Sequence, residues 1–217
     1  SHNGVWDLAL TGIVPRLQVA APRDGIRLEE LLRECVNIKD APSLIRFPKG
    51  ALNPELPAFE RRDGIDILYR GESPDVLLIA VGAMAQLSVE AASQAYREGV
   101  GVTVIDPRWV KPLPIQAISK MAERYAHVVV IEDGISHGGI ASSLSEFFRT
   151  VEIDTPIHSI GVPLDFYEHA KRAQLLEEMG ITAQAVARQL VTWFSKRVTQ
   201  EVTQLHVDEN VDRKPLH

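Results

Sequence analysis

Val76-Leu77-Leu78-Ile79-Ala80-Val81 is an unbroken apolar run closed by Gly82. Six apolar residues without polar alternation read as a strand covered on both faces. Val102-Thr103-Val104-Ile105, Val128-Val129-Val130-Ile131 and the stretch 157–160 repeat the pattern. Helical spacing fills the gaps. A helix from about Leu87 to Glu98 places Ala91, Ala95 and Tyr96 on one side, and Gly99 and Gly101 end it. After Pro112 and Pro114, Ile115, Ile118, Met121, Ala122 and Tyr125 recur at core spacing, as do Ile140, Leu144, Phe147 and Phe148 further on. A last helix near Thr182 buries Val186, Leu190 and Phe194. Strands alternating with helices predict an α/β fold, a three-layer, mostly parallel sheet, over residues 65–194.

Upstream, residues 1–50 read as strand–helix–strand. Arg16-Leu17-Gln18-Val19-Ala20-Ala21 forms the first strand, and Asp24 caps a helix carrying Leu28, Leu31, Leu32, Cys35 and Val36. Leu44-Ile45-Arg46-Phe47 forms the second strand, ended by Pro48-Lys49-Gly50. So few elements cannot cover a parallel sheet, so this segment is expected to be the end of an α/β domain. Residues 51–64, with Asn53-Pro54, Leu56-Pro57 and Arg61-Arg62-Asp63-Gly64, read as a linker. Beyond Ser195 the chain turns polar, and 195–217 is expected to be a mobile tail.

Composition sets bounds on function. The 217 residues are 45% hydrophobic and 24% charged, an ordinary globular balance. The net charge of −6, with its 23 Lys and Arg scattered, argues against nucleic acid as a partner. No apolar run approaches the ~20 residues that span a bilayer, so no membrane partner is expected. One cysteine, Cys35, cannot form an internal disulfide; it reads as a buried thiol in a reducing, cytoplasmic setting.

Four short segments could carry chemistry. Ser1-His2-Asn3-Gly4 puts an imidazole in a polar loop, where it can move protons near neutral pH. Arg46-Phe47-Pro48-Lys49-Gly50 puts two cations at the carboxyl end of a strand, where open α/β sheets bind ligands. Glu132-Asp133-Gly134-Ile135-Ser136-His137-Gly138-Gly139 precedes a helix, but its two acids would repel an anion, and a tight packing turn is the better reading. Phe166-Tyr167-Glu168-His169 reads as a loop.

The order of these features is more specific than any one of them. Ser1-His2-Asn3-Gly4-Val5-Trp6-Asp7-Leu8, Gly12-Ile13-Val14-Pro15, Val19-Ala20-Ala21-Pro22-Arg23-Asp24 and Ala41-Pro42-Ser43-Leu44-Ile45-Arg46-Phe47-Pro48-Lys49-Gly50 come first. Val104-Ile105-Asp106-Pro107-Arg108-Trp109-Val110-Lys111-Pro112-Leu113, Ile131-Glu132-Asp133-Gly134 with Gly138-Gly139, and Ile160-Gly161-Val162-Pro163 follow. From Ser1 to about Trp193 this series resembles the 1-deoxy-D-xylulose-5-phosphate synthases of the transketolase superfamily.

The resemblance implies a carboxy-terminal fragment: the end of a pyrimidine-binding domain (1–50), then a transketolase carboxy-terminal domain (65–194). It implies thiamine diphosphate and Mg²⁺ as cofactors, bound mainly by residues upstream, with no cofactor or metal ligand in the fragment itself. The implied partners are the remaining amino-terminal part of the enzyme and a second copy in a homodimer. The implied reaction decarboxylates pyruvate on the cofactor and joins the product to D-glyceraldehyde 3-phosphate; the cofactor is the electron sink, and the protein positions and protonates. His2 then matches the family's active-site histidine. Lys49 matches a position where many members carry a phosphate-binding arginine, and lysine keeps the charge but loses the fork. Arg46 is implied to assist. Alone, the chain is expected to be inactive. Two alternatives stay open: the β-subunit end of a 2-oxo-acid dehydrogenase, and a non-catalytic dimerisation module.

Overall fold

The computed structural model describes residues 4–168 and 170–195. His2 and almost all of the stretch 195–217 therefore lie outside the described residues. In chain order the elements are α1 (Asp7–Gly12), β1 (Gln18–Ala20), α2 (Gly25–Asn37), β2 (Ser43–Ile45), β3 (Glu60–Arg62) and β4 (Ile65–Tyr69). Then come β5 (Val76–Ala80), a 3-10 turn at Gly82–Met84, α3 (Ala85–Arg97), β6 (Val102–Asp106) and β7 (Trp109–Lys111). α4 (Ile115–Ala122), β8 (His127–Ile135), α5 (Ile140–Thr150), β9 (Ile157–Val162) and α6 (Arg172–Glu178) follow, and α7 covers 183–195.

The main sheet runs β3-β4-β6-β5-β8-β9. Its four strands β6, β5, β8 and β9 are parallel, and β4 and β3 add an antiparallel edge. Every residue of β5 and β6 is buried, as an all-apolar run between two helical layers requires. Side chains alternate between the layers. Leu78, Ala80, Val104 and Ile131 pack with α3 and with Val186 and Leu190 of α7. Leu77, Ile79, Ile105 and Val130 pack with Ile118 of α4 and Leu144 of α5. Burying one such Leu or Ile contributes about 1.5–3 kcal/mol. Among the described residues no helix is long and apolar enough to cross a membrane.

The second sheet is small, with order β2-β1-β7. β1 and β2 pair in parallel, joined by α2, whose first turn is capped by the Asp24 carboxylate accepting from Arg27 N at 2.8 Å. Leu31 and Cys35 of α2 pack on Ala20, Ile45 and Trp109. The expected strands 16–21 and 44–47 are shorter than their apolar patterns. Two strands escape the sequence pattern. β7, in a stretch that reads only as a connection, pairs antiparallel with β1 and completes the small sheet. β3 lies within the expected linker 51–64 and pairs with β4. Both are three-residue edge strands whose existence depends on a distant partner. β8 also runs four residues past the apolar run, so Glu132, Asp133 and Gly134 continue the strand rather than begin a turn.

Candidate substrate site at the carboxyl ends of β2 and β8

β2 and β8 belong to different sheets, yet their carboxyl ends converge on α1. The Arg46 guanidinium, just past β2, donates through Nε to Asp7 Oδ2 of α1 at 2.8 Å. Its Nη1 is hydrogen-bonded to Asp133 Oδ1 near the end of β8, and Nη2 reaches the Asp133 carbonyl at 3.3 Å. The second Asp133 oxygen accepts from Arg172 Nη2 of α6 at 2.7 Å. Four charges thus alternate from α1 to α6. Burial raises the Asp133 carboxyl, but the charges of Arg46 and Arg172 outweigh it and hold the group below the usual carboxylate range.

The residues before α1 are fixed by the same strand. Ile135 N donates to the Val5 carbonyl at 2.8 Å, and the Trp6 ring meets Phe166 edge-on at a centroid separation of 6.1 Å. At the other end of α1, Lys111 Nζ donates to the carbonyls of Thr11, Gly12 and Val14 at 2.9, 2.6 and 2.6 Å. An ammonium on the last carbonyls of a helix satisfies acceptors that the helix leaves open.

Of the residues singled out from sequence, Arg46 lies in this cluster with its charge balanced by two carboxylates. Lys49, three residues on, is exposed. Sequence reasoning misses Asp7, Asp133 and Arg172. By itself Asp133 reads only as a charge repelling anions, and nothing in its own segment points to Arg46, 87 positions away.

Glu132 answers the question posed by the glycine-rich segment. Its fully buried carboxylate accepts from Ile140 N at 3.1 and 3.2 Å and from Ala141 N at 3.4 Å, so it occupies the amino end of α5. A Cβ on Gly139 would stand 2.5 Å from both carboxylate oxygens, which explains the glycine. Burial pushes the Glu132 carboxyl up to about 7, against the backbone hydrogen bonds that lower it. A raised folded-state pKa contributes stability below the ordinary carboxyl range and loses it as pH rises through about 7. Thermal unfolding from pH 5 to 8 should therefore show a steeper loss for the native chain than for Glu132→Gln. The difference approaches about 3 kcal/mol, because each tenfold change in proton affinity corresponds to ~1.4 kcal/mol. Parallel curves for the two proteins would refute this. Asp106, raised to about 6 by burial, acts in the same sense in both and cancels.

Among the described residues no group of three or more His, Cys, Asp or Glu is placed to hold a metal ion. The small sheet and the covered parallel sheet match a known class. The model "Transketolase, C-terminal domain" matches residues 66–186, and "Transketolase, pyrimidine binding domain" matches 1–55. The chain belongs to the transketolase family.

Within that family its curated relatives are named 1-deoxy-D-xylulose-5-phosphate synthase. The one from Mycolicibacterium gilvum is 50% identical over 198 residues, 90% of this chain and 31% of the relative. The one from Saccharopolyspora erythraea is 46% identical over 205 residues, 93% of this chain and 32% of the relative. The chain thus spans about a third of the length of these relatives. A solved structure titled "Split gene transketolase, inactive beta4 tetramer" superposes with a TM-score of 0.74 at 27% identity, covering 87% of this chain and 62% of that one. A transketolase from Campylobacter jejuni, at 17% identity and TM-score 0.66, shares the fold; the match covers 88% of this chain and 28% of that one.

Proposed function

We propose that this chain acts as the carboxy-terminal part of a 1-deoxy-D-xylulose-5-phosphate synthase, condensing pyruvate with D-glyceraldehyde 3-phosphate and releasing CO₂. The observation that carries the reading is the identity of 43–50% to curated synthases over most of the chain. Thiamine diphosphate with Mg²⁺ would supply the electron sink for decarboxylation. Its binding is assigned mainly to the amino-terminal part of the enzyme, as the resemblance implies. The chain's own residues are assigned to substrate. His2 hydrogen-bonds and moves protons at substrate oxygens beside the cofactor. Lys49 binds the aldehyde's phosphate as a point charge. Arg46, already balanced by Asp7 and Asp133, assists by holding the strand end from which Lys49 projects. The working enzyme is proposed to be a cytoplasmic homodimer, the compartment supported by the single buried thiol of Cys35. The chain alone is proposed to be inactive; the related split-gene structure is titled an inactive assembly.

Lys49→Ala in the complete enzyme tests the substrate assignment. The KM for the phosphorylated aldehyde should rise about tenfold or more, as expected for loss of a charge-assisted contact of ~1.5–3 kcal/mol. The KM for pyruvate should move less than about twofold. Equal effects on both substrates would count against a phosphate role.

A further inference from the structure

We infer that Asp133, a residue of the carboxy-terminal domain, is a positioning residue of the substrate site, acting through Arg46 on both α1 and the loop that carries Lys49. The inference rests on the substrate role proposed above for Lys49.

Asp133 is the hub of the strand-end cluster. One oxygen holds Arg46 and the other holds Arg172. Arg46 in turn holds Asp7, at the first turn of α1 and five residues after His2. Lys49 follows Arg46 by three residues. A single carboxylate therefore ties α1 to the loop proposed to bind the substrate's phosphate. Its grip on Arg46 is firm because both partners are largely buried. Asp133 is 7% exposed, and the Arg46 side chain is 12% exposed. Removing one partner leaves a buried guanidinium half-compensated, so the elements must shift to hydrate it.

Two further contacts give the same strand control over the segment leading into α1. Ile135 N, two residues beyond Asp133, holds the Val5 carbonyl. Phe166, from the loop after β9, holds the Trp6 ring. Residues 5, 6 and 7 are thus each fixed by the carboxy-terminal domain or by a side chain that Asp133 itself holds.

A purely structural ion pair is the simpler alternative, and two facts weigh against it. The contact between residues 1–50 and the rest is already secured elsewhere. Arg23 bonds Asp66 and Asp106, and Glu34 bonds Arg108 and the Trp109 indole. Cohesion alone would also be met by apolar packing, without the desolvation that a buried charge cluster entails. What the cluster adds is direction, at the strand ends where ligands of such sheets sit.

Steady-state kinetics on the complete enzyme tests this with four proteins: native, Lys49→Ala, Asp133→Asn and the double variant. Asp133→Asn should raise the aldehyde KM about fivefold or more and lower kcat. In the double variant the aldehyde KM should match that of Lys49→Ala within about twofold, because residues acting through one another do not add. Multiplying effects would make Asp133 merely structural and overturn the inference. An unchanged aldehyde KM in Asp133→Asn, with Lys49→Ala impaired, would overturn the inference and leave the substrate assignment standing. An unimpaired Lys49→Ala would sink both. If Asp133→Asn does not accumulate as folded protein, Arg172→Met replaces it. That variant removes only the outer, part-exposed partner of Asp133. The same non-additivity with Lys49→Ala is expected of it, and multiplicative effects overturn the inference.

Discussion

Replacing Arg23 with Met should lower the unfolding free energy of the chain by about 3–5 kcal/mol. Arg23 is 2% exposed, and its Nη1 donates to Asp66 Oδ2 and Asp106 Oδ2, each at 2.7 Å. Its Nε donates to the Leu56 carbonyl at 2.9 Å, pinning the connection between the two sheets. Met fills much of the same volume, so packing is a minor part of the loss. The larger part is electrostatic. Asp106 would be left with only the Arg108 backbone N–H at 2.8 Å, and Asp66 with Arg61 alone. Asp106 already sits at about 6 because burial outweighs Arg23, and without that cation it would rise further. A raised carboxyl stabilises the fold at low pH and loses that contribution as pH rises, so the damage should be larger at pH 8 than at pH 5. Urea unfolding at both pH values measures it. A loss under about 1 kcal/mol, or one that shrinks with rising pH, would remove Arg23 from this role.

His2→Ala should depress turnover of the complete enzyme by roughly 10²–10⁴-fold, the range for a positioned acid–base group. Apparent affinity for thiamine diphosphate should change only within about threefold, because the residue is assigned to substrate oxygens and not to the cofactor. The effect should exceed that of Lys49→Ala, which weakens one substrate without touching proton transfer. Single-turnover measurement with saturating substrates separates the two. Full activity in His2→Ala would exclude the residue from the site. Loss of cofactor affinity with normal turnover at saturation would reassign it to cofactor binding.

The layered sheet was legible because its inner strands are buried on both faces. Val76 to Val81 has no polar residue to misdirect the reading, and Asp24 announces α2 by local capping chemistry. β3 and β7 were not legible. Glu60-Arg61-Arg62 and Trp109-Val110-Lys111 are too short and too polar to signal a strand without the partner they pair with. The site was legible in part. The strand-end position of Arg46 and Lys49 follows from the residues alone, and the role proposed for His2 from the order of motifs. The union of Arg46 with Asp133 spans 87 positions and passes between two sheets, so no local pattern encodes it. Lys111 belongs to one of the family's motifs, but its grip on the end of α1 is set by the antiparallel pairing of β7.

That pairing of β7 with β1 also dictates an order of events during synthesis. Val19 is registered against Lys111, some ninety residues further along the chain. At ~5–20 residues per second, a ribosome takes about 5–18 s to make that interval. Until then the outer edge of β1 stays open, and α2 has no Trp109 to pack against. The small sheet, whose β1 and β2 precede the main sheet in the chain, is therefore closed late, by a strand made after β4, β5 and β6. A premature stop after β2 and before residue 109 leaves that β-edge available to other chains.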